Sequence, residues 1–309
     1  MLRSERTRAV AAVVVTYNRL ELLRQCVEAL LAQTSSCDIL IVDNASTDGT
    51  AQWLASQPGL FCRNTGSNLG GAGGFHYGMR WAVEAGYDYV WVMDDDTLPQ
   101  PDALEKLMEA DGILNGNYGW LSSVALWTDG SECQMNRQKL KKSFYEYNPL
   151  LKHGLVQAEQ ATFVSLFLRA DTIRRFGLPI KEFFIWGDDI EFTRRIAVNG
   201  GLPCFIAGKS QVIHATKSNV GSNVALDDPE RIGRYFYAFR NEAYLYRQEG
   251  IRGRAYCFAK RCRDFLRIVR YGKPRLPRLH VLFHGIWAGC FFQPRVENIT
   301  ENFVERNLK

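Results

Sequence analysis

Residues 89–98 read YVWVMDDDTL, an apolar run that ends in three consecutive carboxylates, Asp94, Asp95 and Asp96. Tyr, Val and Trp favour a pleated backbone, and the absence of polar residues before Asp94 fits a strand covered on both faces. Three like charges at its tip repel one another, so the cluster is costly unless a cation sits among them or every carboxylate points into water. Asp94 and Asp96 alternate and would face the same side of an extended tip.

Upstream, the same pattern repeats. Strand-like VAAVVVTY (10–17), CDILIVDN (37–44) and LFCRNT (60–65) alternate with helical LELLRQCVEALLAQ (20–33), STDGTAQWLASQ (46–57) and GGFHYGMRWAVEAG (73–86). Such alternation predicts an α/β fold with a parallel sheet and helices on both faces. Ligands of these sheets bind at the carboxyl ends of the strands. The polar clusters TYN (16–18), DNAS (43–46), NTGSN (64–68) and DDD all fall at those ends. A site for Mg²⁺ or Mn²⁺, hard cations that prefer carboxylate oxygens, therefore fits Asp94 and Asp96. A solvated acidic turn, or an N-cap for a helix beginning near Pro101, fits the same residues.

NTGSNLGGAGGF (64–75) holds five glycines. It matches neither a dinucleotide fingerprint nor a Walker loop, yet glycines let backbone approach a phosphate or sugar closely; a merely flexible loop is the other reading. In FFIWGDDIEF (183–192), aromatic residues precede Asp188 and Asp189. Desolvation raises a carboxylate's proton affinity, as a general base needs, although acids also complement a helix N-terminus. His214 stands alone in QVIHATK (211–217), and on its own reads as a satisfied core or surface residue.

With 309 residues, 46% hydrophobic and 23% charged, the chain is neither disordered nor fibrous. Its length suits one large α/β domain with an appendage or two modest domains, and the expected division is 1–225 and 226–309. Eight cysteines lack C-x-x-C pairs, which points to reduced thiols in a cytosolic protein rather than a zinc site. MLRSERTRAVAAVVVTYNR (1–19) imitates a signal peptide, but its apolar stretch is short and lacks a small-residue cleavage site, so it reads as a first buried strand.

Charge is uneven. From Arg231 to Arg295, fifteen Lys and Arg stand against three acids, a surplus of twelve; the whole chain carries +5, so the rest carries −7. The tail's helical patterns break at Gly250, Gly253, Gly272, Pro274 and Pro277, and its cations are interleaved with aromatics. A solvated helical domain, a nucleic-acid surface and a peripheral contact with anionic lipid compete here. No nucleic-acid-binding motif accompanies the charge, and Leu279–Phe292 is too short to span a bilayer. Membrane contact is the expectation, with homo-oligomerisation open.

Taken in order, VVVTYNR, LIVDNASTDGT, NLGGAGGF, MDDD, FIWGDDIEF and a downstream His resemble the family 2 inverting glycosyltransferases of GT-A fold, over roughly residues 10–215. With RYFYAFRN (234–241), the resemblance is strongest to the bacterial galactofuranosyl- and rhamnosyltransferase branch. It implies a Rossmann-like mixed sheet, followed here by a helical basic region. It also implies that Asp94, Asp96 and His214 hold Mn²⁺ or Mg²⁺, that Asp189 is the catalytic base, and that Asp188 touches acceptor hydroxyls. Thr16, Tyr17, Asn18, Asp43, Asn68, Asp94 and Asp95 fall on donor-nucleotide positions. Gly70, Gly71, Gly73, Gly74 and Trp186 fall on donor-sugar or acceptor positions. The implied partners are a UDP-sugar, first choice UDP-galactofuranose with TDP-rhamnose as alternative, and a polyprenyl-linked glycan acceptor at the inner face of the cytoplasmic membrane. A nucleotidyltransferase fits less well, because the first hundred residues lack a glycine loop followed by Lys or Arg. A silent sugar-nucleotide scaffold has no use for a base.

Overall fold

A computed structural model describes residues 9–142 and 144–299. Residues 1–8, expected in the first domain, and 300–309, expected in the tail, lie outside the described residues.

Four strands run parallel in the order β3 (Leu60–Asn64), β2 (Asp38–Asp43), β1 (Val10–Thr16), β4 (Tyr89–Asp94). The sheet then turns mixed. It continues through β9 (Leu166–Arg169), β6 (Leu121–Leu126), β10 (Phe205–His214), β8 (Leu155–Gln160) and β7 (Lys139–Leu140), while β5 (Thr97–Pro99) pairs with β10. β1 is buried along its whole length, as a strand covered on both faces must be.

Alternate residues feed two cores. Val10, Ala12, Val14, Trp91 and Met93 pack with α1 (Leu20–Leu31) and α4 (Ala103–Leu114). Ala11, Val13, Val15, Val90 and Val92 pack with α3 (Gly70–Glu84), α5 (Ala170–Phe176) and α6 (Asp188–Arg194).

Two helices depart from the sequence expectation. α2 (Thr50–Ala55) is short, because Asp48 sits outside it and accepts from Thr50 Oγ1 at 2.6 Å and from the Leu20 amide at 3.0 Å. α3 begins at Gly70, so most of the glycine-rich stretch is helix rather than loop. Packing explains this: a Cβ on Gly74 would lie 2.4 Å from Val15 Cγ1, and one on Gly78 2.4 Å from Val13 Cγ1. Glycine on that stripe lets the helix lie close to β1.

The tail forms α7 (Tyr235–Gln248), α8 (Gly250–Tyr271) and α9 (Arg275–Phe291). Gly250, Gly272 and Pro274 mark boundaries, whereas Gly253 lies within α8 and Pro277 within the first turn of α9, where a missing N–H costs little. α7 is wedged against the sheet domain: Tyr244 and Leu245 pack on Ala72, Ile180 and Phe183. No described helix is long and apolar enough to cross a membrane.

Candidate active site

Register delivers the first row of the site. Thr16 of β1 aligns with Asp43 of β2, Asp43 with Asn64 of β3, and Val15 with Asp94 of β4. Thr16 Oγ1 donates to Asp95 Oδ2 at 2.7 Å, and Asn64 Nδ2 donates to Asp43 Oδ2 at 2.8 Å. After the Asp95–Asp96 turn, β5 runs antiparallel to β10 with Thr97 opposite His214. That short strand carries a histidine from far downstream to the carboxylates.

The His214 Nε2 lies 3.0 Å from Asp96 Oδ1, and its Nδ1 lies 2.7 Å from Asn136 Oδ1. Asn136 Nδ2 donates to Thr162 Oγ1, which leaves Asn136 Oδ1 as an acceptor. Nδ1 therefore carries a hydrogen and Nε2 faces the acids. Ligand atoms of Asp94, Asp96 and His214 all lie within 4.8 Å of one another. Asp95 and Asp96 are 3% and 4% exposed, so the cluster is not a solvated turn. It does not cap α4 either: the Leu104 amide in that helix's first turn donates to Gln33 Oε1.

Burial pushes Asp94 up to about 7, and the neighbouring charge of Asp96 adds to it. Burial likewise lifts Asp95 to about 6 against the pull of Arg19. For Asp96, burial pushes the same way, but the His214 hydrogen bond and the charges of His214 and Arg19 hold it below the ordinary carboxylate value. Burial alone would lower His214; its bond to Asp96 helps drive it up to about 10 instead. Arg19 Nη1 lies 2.6 Å from Asp96 Oδ2 and 3.3 Å from Asp95 Oδ1. Arg19 ends the VVVTYNR motif, yet the sequence reading gave it no role; its signal was a cation directly after the TYN cluster. Asp94's raised proton affinity marks a carboxylate with too little positive charge around it, and two carboxylates plus an imidazole form a donor set suited to Mn²⁺ or Mg²⁺.

Several expected binding residues are engaged within the protein. Asn18, left-handed at φ 53, accepts from the Thr47 amide at 2.7 Å and ties the β1 loop to the β2 loop. Asn68 Oδ1 accepts from the Gly70 amide at 2.8 Å. Asp43 is buried, accepting from the Ser46 amide as well as from Asn64. Tyr17 is exposed. Of the glycines expected at the donor sugar, Gly71 faces open space, whereas a Cβ at Gly70, Gly73 or Gly74 would collide with Phe184, Leu69 or Val15.

Asp188 and Asp189 open α6. Burial raises both, Asp189 to about 6 and Asp188 well above the ordinary value; the charges of Asp189 and Asp94 push Asp188 further. Asp188 thus lies near enough to the carboxylate cluster to feel the charge of Asp94. The chain reaches the pair through a contorted loop in which Phe184, Trp186 and Gly187 have φ of 63, 65 and 89°. Left-handed backbone at two aromatic residues costs on the order of 1–3 kcal/mol each unless the surroundings enforce it. Asn241 of α7, fully buried, enforces it: its Nδ2 reaches the carbonyls of Phe183, Ile185 and Trp186 at 3.0, 3.1 and 2.8 Å. Arg240 Nε holds Asn241 Oδ1 at 3.0 Å. The Phe184 carbonyl accepts from the Ala72 amide of α3 at 3.1 Å. Neither Asn136 nor Asn241 was assigned a role from sequence, because each acts through contacts tens of residues away.

A family model, Glycosyl transferase family 2, matches residues 11–112. The chain is 28% identical over 260 residues to galactofuranosyltransferase GlfT1 of Mycolicibacterium smegmatis, covering 80% of this chain and 85% of the relative. The Mycobacterium tuberculosis protein of the same name is 29% identical over 259 residues, covering 80% and 84%. An undecaprenyl-phosphate mannosyltransferase of Micrococcus luteus is 38% identical over 198 residues, covering 61% and 77%. Among solved structures, GalNAc-T7 with UDP, GalNAc and Mn²⁺ superposes with a TM-score of 0.56 at 12% identity, over 79% of this chain; the chain spans about half (52%) of that structure, a likeness of fold alone. With the sheet order and these relatives together, the chain belongs to glycosyl transferase family 2 and is a glycosyltransferase of GT-A fold.

Proposed function

We propose that the chain is a metal-dependent inverting enzyme that moves galactofuranose from UDP-galactofuranose onto a growing, polyprenyl-linked bacterial surface glycan. Residues 1–225 are the catalytic unit, and within 226–309 the helices α7, α8 and α9 brace it at the inner face of the cytoplasmic membrane. The observation that carries the proposal is a joint placement: the Asp94, Asp96 and His214 ligand atoms lie within 4.8 Å of one another, and Asp188 feels the charge of Asp94. The mycobacterial relatives support the sugar, and the Micrococcus luteus relative supports a polyprenyl acceptor.

Asp94, Asp96 and His214 would hold a divalent cation, which when bound would supply Lewis-acid neutralisation of the departing diphosphate. Asn136 keeps the His214 Nε2 turned toward that position. Thr16, Tyr17, Asn18 and Asp43 cradle the nucleoside, with the Asp43 carboxylate accepting from the uracil N–H. Asn68, Gly71 and Trp186 line the sugar and acceptor. Asp189, ionised above about pH 6, takes the proton of an acceptor hydroxyl as that oxygen attacks the anomeric carbon from the face opposite the diphosphate. The bond to the nucleotide breaks, its electron pair leaves with UDP, and the centre inverts. Asp188 orients the acceptor.

A donor screen tests this: nucleotide release in Mn²⁺ from UDP-galactofuranose, UDP-galactose and TDP-rhamnose, each with a lipid-linked acceptor. Turnover of UDP-galactofuranose is expected. Preference for TDP-rhamnose would reassign the sugar, and nucleotide binding without turnover of any donor would favour a scaffold.

A further inference from the structure

The outward face of α8 and α9 is built unlike the surface of a solvated helical layer. Phe258, Leu266, Leu276, Trp287 and Phe291 are 64–80% exposed. Along α8, Phe258, Cys262, Phe265, Leu266 and Val269 follow helical spacing and make one apolar stripe; along α9, Leu276, Phe283, Trp287 and Phe291 make another. The Phe265 and Phe283 rings, 6.1 Å apart, join the two stripes. Between the helices lies an open groove of about 760 Å³, its walls including Phe258, Phe265, Leu266, Phe283 and Ile286. An exposed apolar patch of this extent marks an interaction surface.

Charge selects the partner. Arg252, Arg254, Arg267, Arg270, Lys273 and Arg275 are exposed and, among the described residues, have no acidic partner. Asp264, the sole acid of these two helices, is buried against Arg261. A second copy docked on the same face would bring six cations against six. Nucleic acid would leave Leu266 and Leu276 without a partner, since aliphatic side chains neither stack on bases nor pair with phosphates. An anionic leaflet satisfies both chemistries, with apolar stripes at the acyl boundary and Arg and Lys at the headgroups.

We propose that the α8–α9 face is a peripheral membrane-docking surface, seated on anionic phospholipid through these two stripes and the cations beside them. It concerns attachment and holds whichever sugar is transferred. Each cation near such a leaflet strengthens binding about fivefold.

The test is flotation of the full chain with phosphatidylcholine vesicles containing about one-third phosphatidylglycerol, and with phosphatidylcholine alone, at low and high salt. The expected result is co-flotation with the anionic vesicles at low salt and less at high salt. The Phe258→Ser/Leu266→Ser/Trp287→Ser variant should bind the anionic vesicles at least about tenfold more weakly, and the Arg267→Glu/Arg270→Glu variant at least about 25-fold more weakly. Their melting temperatures and UDP affinity should match the parent, which separates failure here from failure of the transferase proposal. The proposal is overturned if the parent chain stays in the dense fraction at low salt, or if both variants float as well as it does. A parent dimer that the serine substitutions convert to a monomer, without vesicle binding, would instead assign the face to a second copy.

Discussion

The side-chain amide of Asn241 lies 2.8 Å from the carbonyl of Trp186, so a helix in the basic tail fixes the backbone that presents Asp188 and Asp189. Asn241→Ala leaves three carbonyls without that donor, at about 1–3 kcal/mol of stability. If the loop positions the base, kcat falls about a hundredfold while UDP affinity stays unchanged. Thermal melting with steady-state kinetics and calorimetry checks both, and an equal loss of nucleotide binding would count against the role.

Only ionised Asp189 accepts a proton, and burial sets it near 6, so kcat rises with pH through about 6 and is level above. Asp189→Asn abolishes transfer and leaves UDP binding in place. A pH–rate profile of the parent and calorimetry of the variant test the pair of outcomes.

Asp188 carries a sign of its own. Its folded-state pKa is raised, so ionisation above the unfolded carboxylate value destabilises the fold, and stability returns as pH falls. Asp188→Asn therefore stabilises the protein at neutral pH, by about 0.5–2 kcal/mol, and weakens transfer. A melting temperature that drops would contradict this.

The two classes of glycine separate by substitution. Gly74→Ala drives a methyl to 2.4 Å from Val15 Cγ1 and costs about 1–3 kcal/mol. Gly71→Ala meets nothing within 4 Å, so its melting temperature holds, and a weakened KM for the donor there would mark the sugar-lining surface.

Strands β1, β2 and β4 were legible because each is an apolar run closed by polar residues, and parallel register then sets Asp43 beside Thr16 and Asp94 beside Val15. The start of α3 was not, because Gly70 to Gly74 carry a turn-like composition, and only the closeness of Val15 shows why a helix needs them. Arg19 sat in view without a role, since its contact with Asp96 depends on how the strand after Thr16 turns. Asn136 and Asn241 act across sequence separations of 78 and 55 residues; no local pattern encodes such pairings.

Arg19 is half-exposed, and its guanidinium would compete with a divalent ion for Asp96, the carboxylate that the two would share. Arg19→Ala should tighten Mn²⁺ binding in the absence of nucleotide about fivefold, in line with an ion pair worth up to about 1 kcal/mol. Titration calorimetry with the metal alone decides it, and weaker binding would show that Arg19 supports the ion instead.

The most direct test of the central claim is calorimetric titration of UDP into the chain at saturating Mn²⁺, before and after Asp94→Ala/Asp96→Ala. If these carboxylates hold the ion that receives the diphosphate, UDP affinity falls about a hundredfold or more. An unchanged affinity in the double variant would contradict it.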